Sequence, residues 1–120
     1  MSLTPEELVR HKRHITLKEI GGPGVQRLRD ASVSIIGAGA LGGPCAMYLA
    51  AAGIGKIELW DDDVVERSNL QRQVQFGEED LGLAKVTVLA DRLGQNHPYT
   101  HVTACRKRWK EGNALAGEIL

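Results

Sequence analysis

This chain lacks an excess of charge of either sign: its 15 Lys and Arg balance 15 Asp and Glu, so the formal net charge is zero. A neutral chain carries no electrostatic footprint for nucleic acid or for an anionic membrane. The short run Arg106-Lys107-Arg108-Trp109-Lys110 reads as solvated surface against that background. Cysteine is scarce as well, with Cys45 and Cys105 in no CxxC pair and His14, His97 and His101 at no metal-ligand spacing. Both thiols are expected to be buried and free, as in a reducing compartment. No apolar stretch approaches membrane length, and Ala46 to Ala52 is short enough to be one face of a helix. No hydrophobic leader opens the sequence, and no repeat or low-complexity tract interrupts it. A cytoplasmic protein is the expectation, without nucleic acid or membrane as partner.

What is present fits one small α/β domain, since 120 residues of which 42% are apolar can bury a core. Thr4-Pro5-Glu6-Glu7 starts a helix, with Thr4 as cap, Pro5 in the first turn and Glu7 closing a capping box. That helix carries Leu8 and Val9 toward Arg13 and His14, and Pro23 opens a second one holding Val25 and Leu28. Strands are predicted over Ala31 to Ile36, Lys56 to Trp60 and Thr100 to Cys105, where β-branched and apolar residues concentrate. Helices are predicted from about Leu41 to Ala52, capped by Gly53, and from about Leu83 to Leu93. Val64 to Glu79 has no period and reads as a long polar loop, and Lys110 to Leu120 reads as the start of another helix. The order β-α-β-α-β is half of a Rossmann-like, doubly wound, mainly parallel sheet, expected to be truncated before its next strand. Residues 1–30 form a helical lead-in and residues 31–120 an incomplete nucleotide-binding domain.

The chemistry concentrates after the first strand. Ile35-Ile36-Gly37-Ala38-Gly39-Ala40-Leu41-Gly42 is a strand emptying into a glycine turn and a helix. Gly37, Gly39 and Gly42 in that setting let backbone N–H groups and a helix N-terminus approach a phosphate. Asp61 ends the following strand, within reach of a ribose hydroxyl, while Asp62 and Asp63 beside it read as a solvated strand end. Asn69, Arg72 and Gln73, in Ser68-Asn69-Leu70-Gln71-Arg72-Gln73, add a planar guanidinium fork and amides suited to phosphate oxygens. Lys85 stands at a helix start, where it opposes the helix dipole, and a lysine placed against local preference points to an anionic partner. Together these residues describe a nucleoside triphosphate site. An NAD-dependent dehydrogenase would account for Gly37 to Asp61 and leave Asn69, Arg72 and Lys85 without a task. Arg13, taken alone, is a surface charge.

Arg10-His11-Lys12-Arg13, the glycine turn, Leu59-Trp60-Asp61-x-Asp63, the Ser68–Gln73 hexapeptide and Gly82-x-x-Lys85 resemble the E1-like adenylyltransferases of the ThiF/MoeB/HesA family. The match runs through nearly all of the chain in order, and the hexapeptide is its most specific part. The resemblance implies an enzyme that binds ATP with magnesium and the C-terminal Gly-Gly tail of a ubiquitin-like sulfur carrier of the thiamine or molybdopterin type. The tail carboxylate attacks the α-phosphate, giving an acyl-adenylate and pyrophosphate. By the same resemblance Gly37, Gly39 and Gly42 cradle phosphate, Asp61 holds ribose, and Asn69, Arg72 and Lys85 bind phosphates with Gln73 in support. Arg13, on the lead-in, corresponds to an arginine finger that reaches the site from the other subunit of a homodimer, so Arg13, Arg72 and Lys85 carry the catalytic charge. His11 and His14 stand where the family has an aromatic and an amide. The family's magnesium-binding aspartate and its zinc-binding cysteine pairs fall beyond Leu120, so these residues alone are expected to bind ATP and to be catalytically incomplete. A non-catalytic or truncated nucleotide-binding module of the same fold is the alternative.

Overall fold

The computed structural model describes residues 3–111 and 118–119. Helix α1 (Pro5–Arg10) begins as its sequence dictates: the Glu7 N–H donates to the Thr4 hydroxyl at 3.2 Å, and the Thr4 N–H donates to the Glu7 carboxylate at 3.1 Å. It ends at His11, whose ψ of 18° leaves the helical region, and α2 (Lys12–Ile15) restarts the turn. The single helix expected toward His14 is therefore two short ones. Leu8 and Val9 are exposed; the residue that α1 buries is Glu7, neutralised by the Arg29 guanidinium at 3.0 Å. Arg29 belongs to α3 (Gly21–Asp30), which seats Val25 and Leu28 against the body of the molecule.

Strand β1 (Ser32–Ile36), helix α4 (Gly42–Ala52), strand β2 (Lys56–Trp60), helix α5 (Lys85–Asn96) and strand β3 (His101–Cys105) follow in the expected order. Beyond them the expectation fails. Glu118–Ile119 is a fourth strand, β4, paired parallel to β1 with Val33 opposite Glu118. Of the helix predicted over Lys110 to Leu120, Lys110 and Glu111 are not helical and residues 112–117 lie outside those described. The reason lies in β1, where Val33, Ser34 and Ile35 are all buried, the pattern of a central strand that needs neighbours on both edges. The sheet order is β3-β2-β1-β4, with Ile35, Leu59 and Ala104 in register across the first three strands.

One face of this sheet makes the core. Ile35, Ile57 and Leu59 meet α4 through the small residues Ala46 and Ala50, and α5 through Val86, Leu89 and Leu93. Alanines at i and i+4 let α4 lie close on the sheet, while the apolar stripe on α5 recurs at i, i+3 and i+7. The two cysteines, on α4 and at the end of β3, are free and half-buried rather than fully buried. Among the described residues no helix is long and apolar enough to cross a membrane. Because the chain leaves β1 toward β2 on one side and finds β4 on the other, the strand order reverses at β1. In a Rossmann-like, doubly wound sheet the crevice beyond that strand's carboxyl end is where ligands bind.

Candidate functional site

The turn from β1 into α4 occupies that crevice, and backbone geometry dictates glycine at two of its positions. Gly37 has φ of 102°, open to glycine at little cost, and a Cβ on Gly42 would sit 1.7 Å from the Gly37 carbonyl oxygen. At Gly39 the requirement is different: a Cβ would meet only the Gln73 amide at 3.5 Å, an ordinary contact.

Two side chains fix this turn. The Ala38 N–H donates to Asp61 Oδ2 at 2.8 Å, and the other carboxylate oxygen of Asp61 accepts the Asp63 N–H at 2.8 Å. Asp61, at the end of β2, therefore holds the turn as well as facing the crevice. An ionised carboxylate has about four lone-pair sites, which leaves acceptor capacity for a hydroxyl. From the opposite side Gln75, only 3% exposed, donates its amide N–H groups to the carbonyls of Ala38 (3.0 Å) and Gly39 (2.9 Å).

The segment read as a polar loop is a loop with an exposed polar side and a buried side. Val65 and Phe76 enter the core, and Val64 bridges to Ala84. A 3₁₀ turn at Arg67–Asn69 is held by the Asn69 side chain, whose oxygen accepts the Glu66 N–H at 2.9 Å. Asn69 and Gln73 are buried, and the Gln73 N–H donates to the Asn69 carbonyl at 2.8 Å, which sets the Gln73 amide beside Gly39. Arg72 is exposed, its guanidinium donating to the Ser68 carbonyl at 3.1 Å. Lys85 opens α5 with its side chain 7% exposed; its N–H donates to the Asp63 carbonyl at 3.1 Å and its Nζ lies 3.9 Å from Asp63 Oδ2. A continuous set of contacts thus runs from the turn through Asp61 and Asp63 to Lys85. Arg13 is exposed on α2 and is not among the residues lining the groove over the turn.

That groove, of about 210 Å³, is bounded by Gly37, Trp60 and Asp61 and by two residues after β3, Arg108 and Trp109. Sequence reasoning passed over both of these as solvated surface, and it passed over Gln75 altogether. It also missed Arg92 on α5, which pairs with Asp80 at 2.8 Å and donates to the Gln75 carbonyl, bracing the segment that holds the turn. Nothing in the local sequence distinguishes these side chains from their solvated neighbours. The Cys105 thiol at the end of β3 is pushed up from its ordinary range by burial and then by the nearby Glu58 carboxylate, so it stays a thiol.

The carboxylate oxygens of Asp61, Asp62 and Asp63 gather within 4.8 Å of one another. As a magnesium site this trio does not fit: Asp61 already holds two backbone N–H groups, Asp63 faces Lys85, and Asp62 faces Arg108 at 3.9 Å.

The ThiF family model matches residues 11–119. A sulfur carrier protein adenylyltransferase of Thermus thermophilus is 44% identical over 120 residues, covering 100% of this chain and 44% of that relative. The sulfur carrier protein ThiS adenylyltransferase of Escherichia coli is 43% identical over 118 residues, covering 98% and 45%. Among solved structures, the E. coli tRNA N6-threonylcarbamoyladenosine dehydratase TcdA in complex with ATP superposes with a TM-score of 0.83 at 31% identity, over 90% of this chain and 44% of that one. The chain spans less than half the length of the curated relatives it matches. With the match running from the lead-in to β4 and taking in every strand of the sheet, the chain belongs to the ThiF family.

Proposed function

We propose that this chain is the nucleotide-binding part of an enzyme that adenylates the C-terminal glycine carboxylate of a ubiquitin-like sulfur carrier of the thiamine or molybdopterin type. A carboxylate oxygen attacks the α-phosphorus of ATP, the bond from that phosphorus to the bridging oxygen breaks, and pyrophosphate leaves. The observation that carries this reading is the glycine turn clamped by Asp61 and Gln75 beside a buried lysine. Packing does not demand glycine at position 39, so the close approach of a ligand gives that glycine its reason. Backbone N–H groups of the turn and the N-terminus of α4 receive phosphate, Asp61 takes a ribose hydroxyl, and Lys85 and Arg72 supply fixed positive charge to the phosphates. Asn69 and Gln73 hold the loop and offer amide donors. Such preorganised charge is the main contribution a protein makes to phosphoryl and nucleotidyl transfer.

Arg13, exposed and outside its own chain's groove, acts in this reading on the site of a second copy, so residues 1–30 serve a homodimer and residues 31–120 the nucleotide. Two free thiols suit a reducing cytoplasm. Calorimetric titration of ATP into the intact protein that carries these residues tests the assignment. Arg72→Ala is expected to cost about 1.5–3 kcal/mol of binding, the scale of a hydrogen bond to a charged group. Mixing Arg13→Ala with Asp61→Ala subunits is expected to restore part of the carrier-dependent ATP–pyrophosphate exchange, since one composite site is then intact. Equal ATP affinity in the Arg72 variant would overturn the clamp, and an absence of rescue would leave Arg13 a surface charge.

A further inference from the structure

The sequence contains two tryptophans, and both line the groove over the glycine turn. They are held differently. Trp60, at the end of β2, is 8% exposed, and its indole N–H donates to Glu58 Oε1 at 2.6 Å, which fixes the ring. Trp109, beyond β3, is half-buried, and its indole N–H has no hydrogen-bond partner among the described residues. A buried indole N–H is ordinarily paired, so a ring left untied is free to settle on something else.

Strand order says what that something is. Ile36 ends β1, Trp60 ends β2 in register with it, and Cys105 ends β3 in register with Trp60. Neighbouring strands are about 4.8 Å apart, so the three strand ends lay out a path of about 10 Å. The phosphate turn follows β1 and the ribose acid Asp61 follows β2. The next part of a nucleotide along that path, past the β3 end, is its base, and Trp109 and Arg108 stand there. Arg108 is exposed and tethered only loosely, with its Nε 3.9 Å from Asp62.

Resting on the nucleotide reading above, we propose that Trp109 is the base-stacking residue of this groove, packing its indole on the purine ring of the bound nucleotide while Trp60 supplies the rigid wall. Stacking on an aromatic face tolerates different bases and rewards a base over none, so Trp109 selects nucleotide over bare polyphosphate.

Calorimetry on the intact protein with two ligands, ATP and inorganic tripolyphosphate, tests this. Trp109→Ala is expected to weaken ATP about tenfold, the scale of one lost base–aromatic stack, and to leave tripolyphosphate within about twofold. Trp109→Phe, which keeps an aromatic face, is expected to recover most of the ATP affinity. Unchanged ATP affinity in Trp109→Ala overturns the stacking role and leaves the nucleotide reading standing. An equal loss for both ligands also overturns it, because a collapsed groove and not a missing stack would then be the cause. Failure of the unaltered protein to bind ATP overturns the nucleotide reading, and this proposal with it.

Discussion

Gln75 offers the sharpest test of how this site is built. Its amide donates to the carbonyls of Ala38 and Gly39 at 3.0 and 2.9 Å from a position 3% exposed to solvent. Gln75→Ala removes both bonds. At about 0.5–1.5 kcal/mol net for each neutral hydrogen bond, the loss is about 1–3 kcal/mol. The cavity left by the deleted side chain raises the expected cost to about 2–4 kcal/mol. Gln75→Glu keeps the volume and sets a carboxylate oxygen against two carbonyl oxygens, so it is expected to destabilise at least as much near neutral pH. It should recover in part as the pH falls, because a protonated carboxyl can donate again. Gly43 gives an independent probe: a Cβ there would lie 2.0 Å from the Gln75 amide nitrogen, so Gly43→Ala disturbs the same contact from the other side. Urea unfolding of the single and double variants, each paired with ATP titration, measures all of this. The two substitutions should be strongly non-additive, as expected for groups in contact. If Gln75→Ala stays within about 0.5 kcal/mol of the unaltered protein, the range of an ordinary surface change, the tether does not hold the turn and the reasoning fails.

Gly42→Ala should abolish ATP binding and lower stability, because its Cβ would sit 1.7 Å from a backbone oxygen that cannot move without breaking the turn; a variant that melts and binds normally would refute this. Lys85→Met keeps the buried stem and removes the charge, so it should leave the urea midpoint nearly unchanged and weaken tripolyphosphate binding, read by calorimetry. Acid should loosen the lead-in. His11 is lowered from 6.5 by burial, then by His14 and Arg10, and His97 by burial, then by Arg10. With the folded values below the unfolded one, stability is full above about pH 6.5 and is lost as pH falls through the folded values, since the unfolded chain takes up protons that the folded one refuses. The protection of α1 and α2 against hydrogen exchange, taken relative to the intrinsic rate at each pH, should therefore fall between about pH 7.5 and about pH 5, and His11→Phe should reduce that fall.

The sequence was most legible where local signals agree with one another. Lys56–Trp60 is legible to the residue because Gly55 and Asp61 bound a run in which Ile57, Leu59 and Trp60 supply the apolar groups, and α4 nearly so because Pro44 and Gly53 mark its first turn and its end. It was least legible where a long-range contact overrides local character. Leu8 and Val9 are the apolar residues of α1, yet Glu7 is what goes inside, because Arg29 on α3 waits there to pair with it. Two residues of strand, Glu118 and Ile119, give no periodic window at all, and only the demand of β1 for a second neighbour predicts them. Gln71 and Gln75 are alike in sequence, yet the first is exposed and the second holds the turn.

The candidate site follows the same division. Its glycines and Asp61 were visible because backbone geometry restricts what can stand at a strand–helix turn, and such restriction leaves a spaced signature. Gln75, the second side chain that holds the turn, was invisible because any buried amide could have done the work, and its choice was settled by where the Val64–Glu79 segment folds back. A turn with three glycines is floppy by composition, and each glycine frozen costs more backbone entropy than another residue would. Asp61 and Gln75 offset that cost from opposite sides, one accepting an N–H and the other donating to two carbonyls, so that the remaining N–H groups are aimed before any ligand arrives. Asp61 therefore serves the architecture, which explains why an acid is needed at the end of β2 where its neighbours Asp62 and Asp63 could not substitute: only Asp61 reaches back across the sheet to the Ala38 N–H.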